Sequence, residues 1–297
     1  MSNNSCKISV VSPVYRAENT VDDLVIQIKQ VLKTLTEDFE IVLVEDGGPD
    51  NSWAKILENC TKDTRVKGIK LSRNFGQHYA ISAGLEFSKG DWVIVMDCDL
   101  QDRPDQITKL YNKAIEGYDI VLARRSERQD GFIKRMSSYF FYRVLGYLSG
   151  LPQDNKIANY GIYQRKVIDA IKSMPEAIKY FPTMVKWVGF KRTEVDVEHA
   201  ERLDGVSTYN FKRLRNLALD IILAYSDKPL KLIIKFGFSI SLMALLFALY
   251  TLCSYLAGNI VVLGYASLII SIWFLSGIIM LILGIVGLYV GKILVVV

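Results

Sequence analysis

The chain opens with a regular alternation of short apolar runs and segments whose apolar residues recur every three or four positions. The runs at 8–12, 39–44, 66–71, 92–96 and 120–123 read as strands, and the segments at 21–35, 52–61, 77–88 and 104–116 as amphipathic helices. Continuous apolar runs such as Trp92-Val93-Ile94-Val95-Met96 suit strands covered on both faces. A mostly parallel, Rossmann-like α/β sheet is therefore expected. Ser52 is placed to cap the second helix and Pro104 to fill a first helical turn. Gly90 and Gly117 fall where the third and fourth helices should stop.

Beyond residue 125 the pattern changes. Residues 133–149 mix Tyr139, Phe140, Phe141, Tyr142 and Tyr147 with Lys134, Arg135 and Arg143 at helical spacing. That suits a helix lying in a membrane interface, and equally aromatics packed on the domain core. Residues 211–225 carry a second amphipathic pattern. From residue 236 to 291 there is no Asp, Glu, Lys, Arg or His, a length that accommodates two membrane crossings of ~20 residues each. Gly258-Asn259 marks the turn, which leaves membrane helices at about 233–257 and 262–291. Three regions result: a domain at 1–207, a juxtamembrane helix at 208–231 and a two-helix transmembrane hairpin at 232–297. Lys228, Lys231 and Lys235 precede the hairpin and Lys292 follows it, which sets the N-terminal domain and the C-terminus on the cytoplasmic face. The N-terminus is polar through Lys7 and its first apolar run is short, so no signal peptide is expected.

Charge and cysteine content refine this only slightly. Cys6, Cys60, Cys98 and Cys253 have neither metal-ligand nor disulfide spacing and fit a reducing compartment. The formal net charge is +5, with basic clusters at Arg124, Arg125, Arg128, Lys134 and Arg135 and again at Lys212, Arg213 and Arg215. Beside a membrane anchor these suit anionic membrane lipids or a lipid phosphate rather than nucleic acid.

The chemistry collects at the ends of the strands, where open α/β sheets bind ligands. Asp97-Cys98-Asp99-Leu100-Gln101-Asp102 follows the fourth strand. Its carboxylates and carboxamide are hard oxygen donors suited to Mg²⁺ or Mn²⁺ shared with substrate phosphates. The alternative for the stretch alone is an acidic loop capping the next helix. Three further segments follow the first three strands: Ser12-Pro13-Val14-Tyr15 with Glu18, Glu45-Asp46-Gly47-Gly48-Pro49-Asp50, and Ser72-Arg73-Asn74-Phe75-Gly76. No Gly-x-Gly-x-x-Gly follows the first strand, which argues against a dinucleotide oxidoreductase.

The runs VVSPVYRAENTV, VLVEDGGPDNS, LSRNFGQ and VMDCDLQDRP resemble family 2 glycosyltransferases of the GT-A fold. With two C-terminal membrane helices the chain is most similar to the polyprenyl-phosphate sugar transferases, relatives of dolichyl-phosphate mannose synthase and bactoprenol glucosyltransferases. The resemblance spans residues 7–291. It implies a cytoplasmic GT-A catalytic domain at a bacterial inner membrane. The reaction would transfer a sugar from a nucleotide sugar, UDP-linked by likeness to the bacterial members, to polyprenyl (undecaprenyl) phosphate for cell-envelope glycan. It also implies a membrane homo-oligomer.

Position by position, the resemblance puts Pro13, Tyr15, Glu18, Asp46 and Asp97 around the nucleotide, and Asp97, Asp99 and Gln101 at the metal and pyrophosphate. Arg125 falls at a phosphate contact, Lys134, Arg135 and Ser138 in the lipid-phosphate region, and Arg202 in an Arg-x-x-Gly-x-Ser element. There are three departures. The acidic turn reads Glu45-Asp46-Gly47-Gly48 instead of Asp-Asp-Gly-Ser. Asn159 and Gly161 stand where relatives often carry an acid and an arginine. The chain also stops at Val297, where relatives often continue. Asn159 cannot act as a base. None is needed, because a phosphate monoester with a second pKa of about 6 is already largely dianionic near neutrality. A processive polysaccharide synthase is the nearest rival, but its Gln-x-x-Arg-Trp element is absent; a catalytically inactive membrane partner is the other.

Overall fold

The computed structural model describes residues 8–125, 146, 157–174, 179–198, 228–258 and 264–296. These form two compact units, one holding the sheet and its helices and the other the two long C-terminal helices. Except for residue 146, the aromatic–basic segment at 133–149 lies outside the described residues. So do the helix at 211–225 and the candidates Lys134, Arg135, Ser138 and Arg202.

The first unit starts with β1 (Ile8–Val14), α1 (Val21–Leu35), β2 (Phe39–Glu45), α2 (Ser52–Lys62), β3 (Val66–Lys70), α3 (Gln77–Phe87) and β4 (Trp92–Val95). A 3₁₀ turn (Pro104–Gln106) then leads into α4 (Ile107–Ala114) and β5 (Ile120–Arg125). β6 (Ile157–Gln164), α5 (Arg165–Lys172), α6 (Phe181–Trp187) and β7 (Arg192–Val197) complete it. The predicted strands agree with β1 to β5 to within two residues at every end. The sequence pattern did not reveal β6, β7, α5 or α6.

The sheet order is β3-β2-β1-β4-β6-β5-β7. β1 pairs in parallel with both β2 and β4, and β2 with β3. β6 lies antiparallel between β4 and β5, and β7 is parallel to β5. The C-terminal ends of every strand but β6 therefore reach one edge, and β6 brings its N-terminal end, with Asn159, to that same edge. The chain moves outward from β1 through β2 to β3 and returns on the other side at β4. The crevice between β1 and β4 is thus a topological switch point.

Packing explains the central order. Every residue of β1 and β2 is buried, as strands covered by helices on both faces require. α1 buries Val21, Leu24, Val25, Ile28 and Leu32, one stripe at three- and four-residue spacing. α3 comes closest, since a Cβ on Gly84 would stand 2.4 Å from Val11 Cγ1. β7 alternates exposed and half-buried positions as far as Asp196 and ends on the buried Val197, and its charges blunt an edge strand. Under the opposite edge of the sheet, Glu40 is buried. It accepts from Ser9 Oγ at 2.6 Å, from the Lys89 N–H and from Lys67 Nζ, joining β1, β2, β3 and the approach to β4.

Three local expectations change. Ser52 does not cap α2 with its side chain; its Oγ accepts from the Ala17 N–H at 2.9 Å and donates to Asp50 Oδ2 at 2.8 Å. Gly117 has φ +97°, as a helix stop should, but α3 ends at an extended Ser88 and Gly90 instead donates its N–H to Ser9 Oγ at 2.7 Å. The fourth helix starts as a 3₁₀ turn, with Pro104 in its first turn.

In the second unit, α7 (Lys228–Leu256) and α8 (Tyr265–Val296) pack side by side. Small residues permit the approach: a Cβ on Gly277 would lie 3.1 Å from Ser241 Cα, and one on Gly237 3.6 Å from Met280 Cβ. Stretches Lys235–Leu256 and Ser267–Gly287 are long and apolar enough to cross a membrane, with mean hydropathies of 2.0 and 2.7. The helix of a soluble core would be mostly buried, yet Phe236, Leu256 and Leu283 are at least 64% exposed. Hydroxyls in the helices return their protons to the backbone, Thr251 to the Phe247 carbonyl at 3.0 Å and Ser271 to that of Ser267 at 2.7 Å.

Candidate active site

Four loops leave the C-terminal ends of β1 to β4, and hydrogen bonds stitch them into a closed circuit. The β1 and β2 loops are joined twice: the Glu18 N–H donates to Asp50 Oδ2 at 3.2 Å, and the Asn51 N–H to Glu18 Oε2 at 3.0 Å. The β2 and β3 loops meet at Asp46, whose two carboxylate oxygens accept from the Phe75 N–H at 2.8 Å and the Gly76 N–H at 2.9 Å. The β3 and β4 loops meet where Gln77 Nε2 donates to Asp97 Oδ1. Thr20 Oγ1 closes the circuit from the β1 side, donating to the Cys98 carbonyl at 2.9 Å. Fixed loops of this kind hold side chains at one geometry before a ligand arrives.

The acidic loop after β4 has an uncommon backbone. Leu100 has φ +59°, a left-handed conformation costing a non-glycine residue about 1 kcal/mol. Burial of its side chain in the core offsets that cost. With Leu100 turned inward, Asp97, Asp99 and Gln101 remain half-exposed, while Asp102 is buried and its Oδ2 lies 3.5 Å from the Asp97 N–H. Asp99 Oδ1 accepts from the Gln101 N–H at 3.2 Å.

Cys98, between the two carboxylates, is a neutral thiol. Burial pushes it up to about 12, with the charges of Asp97 and Asp99 acting in the same direction and a backbone hydrogen bond from Tyr15 opposing them. The carboxylates and carboxamide on either side of it are oxygen donors, the class preferred by Mg²⁺ and Mn²⁺. Among the described residues no three His, Cys, Asp or Glu side chains converge on one point. Asp97, Asp99 and Gln101 are half-exposed oxygen donors of the type that could hold such an ion together with phosphate oxygens of a ligand.

The remaining candidates are spread along the same edge. Pro13 is buried in the last turn of the β1 ladder, opposite Val44, and Tyr15 just beyond it is 37% exposed. Glu18 and Asp46, expected at the nucleotide, are both engaged in holding loops. Arg125 ends β5, paired in register with Val197 of β7. Asn159 is half-buried near the start of β6; continuing the Val95–Gly161 register of β4 and β6 by two residues puts it opposite Asp97.

Gln77, Thr20 and Asp50 were not singled out from sequence. Each lies in or directly beside a motif that was, but only contacts between loops give it a task. His78, next to Gln77, is driven down to about 4 by burial and is neutral at physiological pH. Among the described residues its Nδ1 has no hydrogen-bond partner, and its ring meets Tyr180 edge-on at 4.5 Å.

A mostly parallel sheet with a switch-point crevice, an acidic oxygen-donor loop after β4 and braced glycine loops at β2 and β3 define a GT-A-type transferase fold. Residues 9–171 match the family model described as "Glycosyl transferase family 2", and the chain belongs to that family. It is 33% identical to the prophage bactoprenol glucosyl transferase homolog of Escherichia coli (strain K12), over 96% of this chain and 94% of that protein. It is 36% identical to the undecaprenyl-phosphate 4-deoxy-4-formamido-L-arabinose transferase of Proteus mirabilis, over 82% of this chain and 74% of that one. Among solved structures it is similar to glucosyl-3-phosphoglycerate synthase of Mycobacterium tuberculosis, crystallised with Mn²⁺, UDP and phosphoglyceric acid. That likeness has a TM-score of 0.54 at 16% identity, covering 73% of this chain and 76% of the other, and it speaks to the fold.

Proposed function

We propose that the protein transfers a sugar from a nucleoside-diphosphate sugar, UDP-linked, to undecaprenyl phosphate or a similar polyprenyl phosphate, by direct displacement with inversion. The observation that carries the reading is an oxygen-donor loop at the switch point of a family 2 sheet, in a chain that also has two helices of membrane length. The names of the bactoprenol and undecaprenyl-phosphate relatives support the acceptor class. The reading places the protein as a multi-pass protein of a bacterial inner membrane, with the sheet unit on the cytoplasmic side and the chain in a homo-oligomer.

In this reading an oxygen of the acceptor phosphate forms the new bond to the anomeric carbon. The bond from that carbon to the donor's diphosphate breaks, and its electron pair leaves with the nucleoside diphosphate. No proton has to be removed first, because the acceptor is largely dianionic near pH 7. Asn159 therefore serves contact, not base catalysis. Asp97, Asp99 and Gln101 would hold Mg²⁺ or Mn²⁺, which when bound supplies Lewis-acid stabilisation of the departing diphosphate. Pro13 and Tyr15 line the nucleoside side of the crevice.

Arg125, Lys134, Arg135, Ser138 and Arg202 would grip the acceptor phosphate. Two unit charges ~4 Å apart repel by about 4 kcal/mol at an effective dielectric of ~20, so cations must offset the meeting of two phosphate groups. Tethering to the bilayer raises the local concentration of an acceptor that never leaves it. Incubation with polyprenyl phosphate and a panel of nucleotide sugars, with mass spectrometry of the lipid, tests the reading.

A further inference from the structure

Gln77 is the first residue of α3, and its side-chain amide donates to Asp97 Oδ1 at the end of β4. We propose that Gln77 is a positioning residue for the donor-diphosphate site: its amide fixes the orientation of Asp97, and the bend braced by Asp46 delivers it there. The inference rests on the proposed function in one respect, that Asp97 serves the donor.

The connectivity carries the inference. β2 and β4 are not neighbours in the sheet, because β1 lies between them. Asp46 at the end of β2 accepts from the Phe75 and Gly76 N–H groups, one at each carboxylate oxygen, immediately before α3. Gly76 has φ +102°, and a Cβ there would meet nothing within 4 Å, so the backbone conformation and not crowding selects glycine at this bend. The bend delivers Gln77 to Asp97. Asp46, the bend, Gln77 and Asp97 thus form one bridge over the crevice, spanning from the β2 loop to the acidic loop.

An aspartate at a strand end rotates about two torsions. A donor on one oxygen holds the plane of the carboxylate and leaves the orientation of the other oxygen defined. Gln77 is itself half-exposed, so core packing does not account for its place. A glutamate of the same shape would fit there but could not donate at neutral pH, and it would set a second negative charge against Asp97.

The experiment uses the full chain purified in detergent, with UDP and GDP as probes titrated calorimetrically in the presence and absence of Mn²⁺. Free Mn²⁺ is followed by electron paramagnetic resonance, and donor KM and kcat by turnover. Gln77→Glu is expected to weaken Mn²⁺-dependent nucleotide binding by roughly tenfold or more, the cost of losing one hydrogen bond to a charged group. Donor KM should rise by the same factor with a smaller change in kcat, and Tm should stay within about 2 °C of wild type. Gln77→Leu keeps the volume without donor or charge and is expected to show a weaker form of the same defect. Gln77→Lys, which restores a donor, should recover part of the affinity.

Wild-type affinity in both Gln77→Glu and Gln77→Leu overturns the proposal, as does a loss that only tracks a fall in Tm. Failure of the wild type to bind either nucleotide with Mn²⁺ overturns the proposed function, and the positioning role with it. That result is distinguishable because it needs no variant.

Discussion

Gly47 lies against the backbone of Arg73 so closely that a Cβ on it would stand 2.4 Å from the Arg73 carbonyl carbon. Its φ of +62° adds a conformation that side chains disfavour. The β2 and β3 loops touch here, backbone to backbone, beside the Asp46 bonds to Phe75 and Gly76. Gly47→Ala should therefore destabilise the sheet unit by about 2–4 kcal/mol and weaken nucleotide binding as the loops part. Gly76→Ala faces open space and should cost about 1–3 kcal/mol, for torsion alone, because its φ and ψ lie in a region other residues avoid. Chemical denaturation of the two variants side by side checks the difference.

In the proposed reaction Asp99 belongs to the loop that would hold the metal. Asp99→Asn removes charge with little change in shape, and transfer is expected to fall by about 10²-fold or more, as is transfer by wild type in excess EDTA. Added Mn²⁺ should restore the chelated wild type but not the variant. Full turnover by Asp99→Asn would remove the acidic loop from the mechanism.

The acceptor's own ionisation should dominate the acid limb of the rate profile. Transfer is expected to rise from pH 5 and level off above an apparent pKa of about 6, that of a phosphate monoester. His78 does not contribute to that limb, because burial has already lowered it to about 4. Asn159→Ala should cost less than about tenfold and leave the limb in place. A loss as large as that of Asp99→Asn would instead assign Asn159 a catalytic role.

Stability at low pH should depend on Glu40. Burial pushes its carboxyl upward, but the hydrogen bonds from Lys67 Nζ, Ser9 Oγ and the Lys89 N–H, with the charge of Lys67, outweigh that and hold it below its ordinary value of 4.5. A depressed folded-state pKa stabilises the fold above the unfolded value, and that contribution is lost as pH falls through the folded one. Wild-type Tm should thus drop steadily below about pH 4.5. Glu40→Gln should start about 1–3 kcal/mol less stable at pH 7 and lose less on acidification. Parallel melting curves from pH 7 to 3 measure both slopes.

Much of this was legible in the chain because β1, β2 and β4 are covered on both faces. Such strands must be apolar along their length, and the helices between them must show one apolar stripe. β6 and β7 obey neither rule. β6 carries Asn159, Gly161 and Gln164, and β7 is an edge strand with Arg192, Glu194 and Asp196. Their pairing is set by neighbours distant in sequence, so local pattern could not reveal it. The site divides the same way. Asp97, Asp99 and Asp46 stand out as acids at strand ends. That Asp46 braces a loop, and that Gln77 reaches Asp97, depends on loops brought together only by the sheet order.

The most direct test supplies the purified full-length protein in nanodiscs with undecaprenyl phosphate, Mn²⁺ and a panel of UDP- and GDP-sugars. Lipid products are read by mass spectrometry and nucleotide release by chromatography. The expected result is a single sugar joined to the lipid phosphate from one preferred donor, with one nucleoside diphosphate released per product and none formed by Asp99→Asn. Consumption of no donor at all, or a polymer growing without lipid attachment, would contradict it.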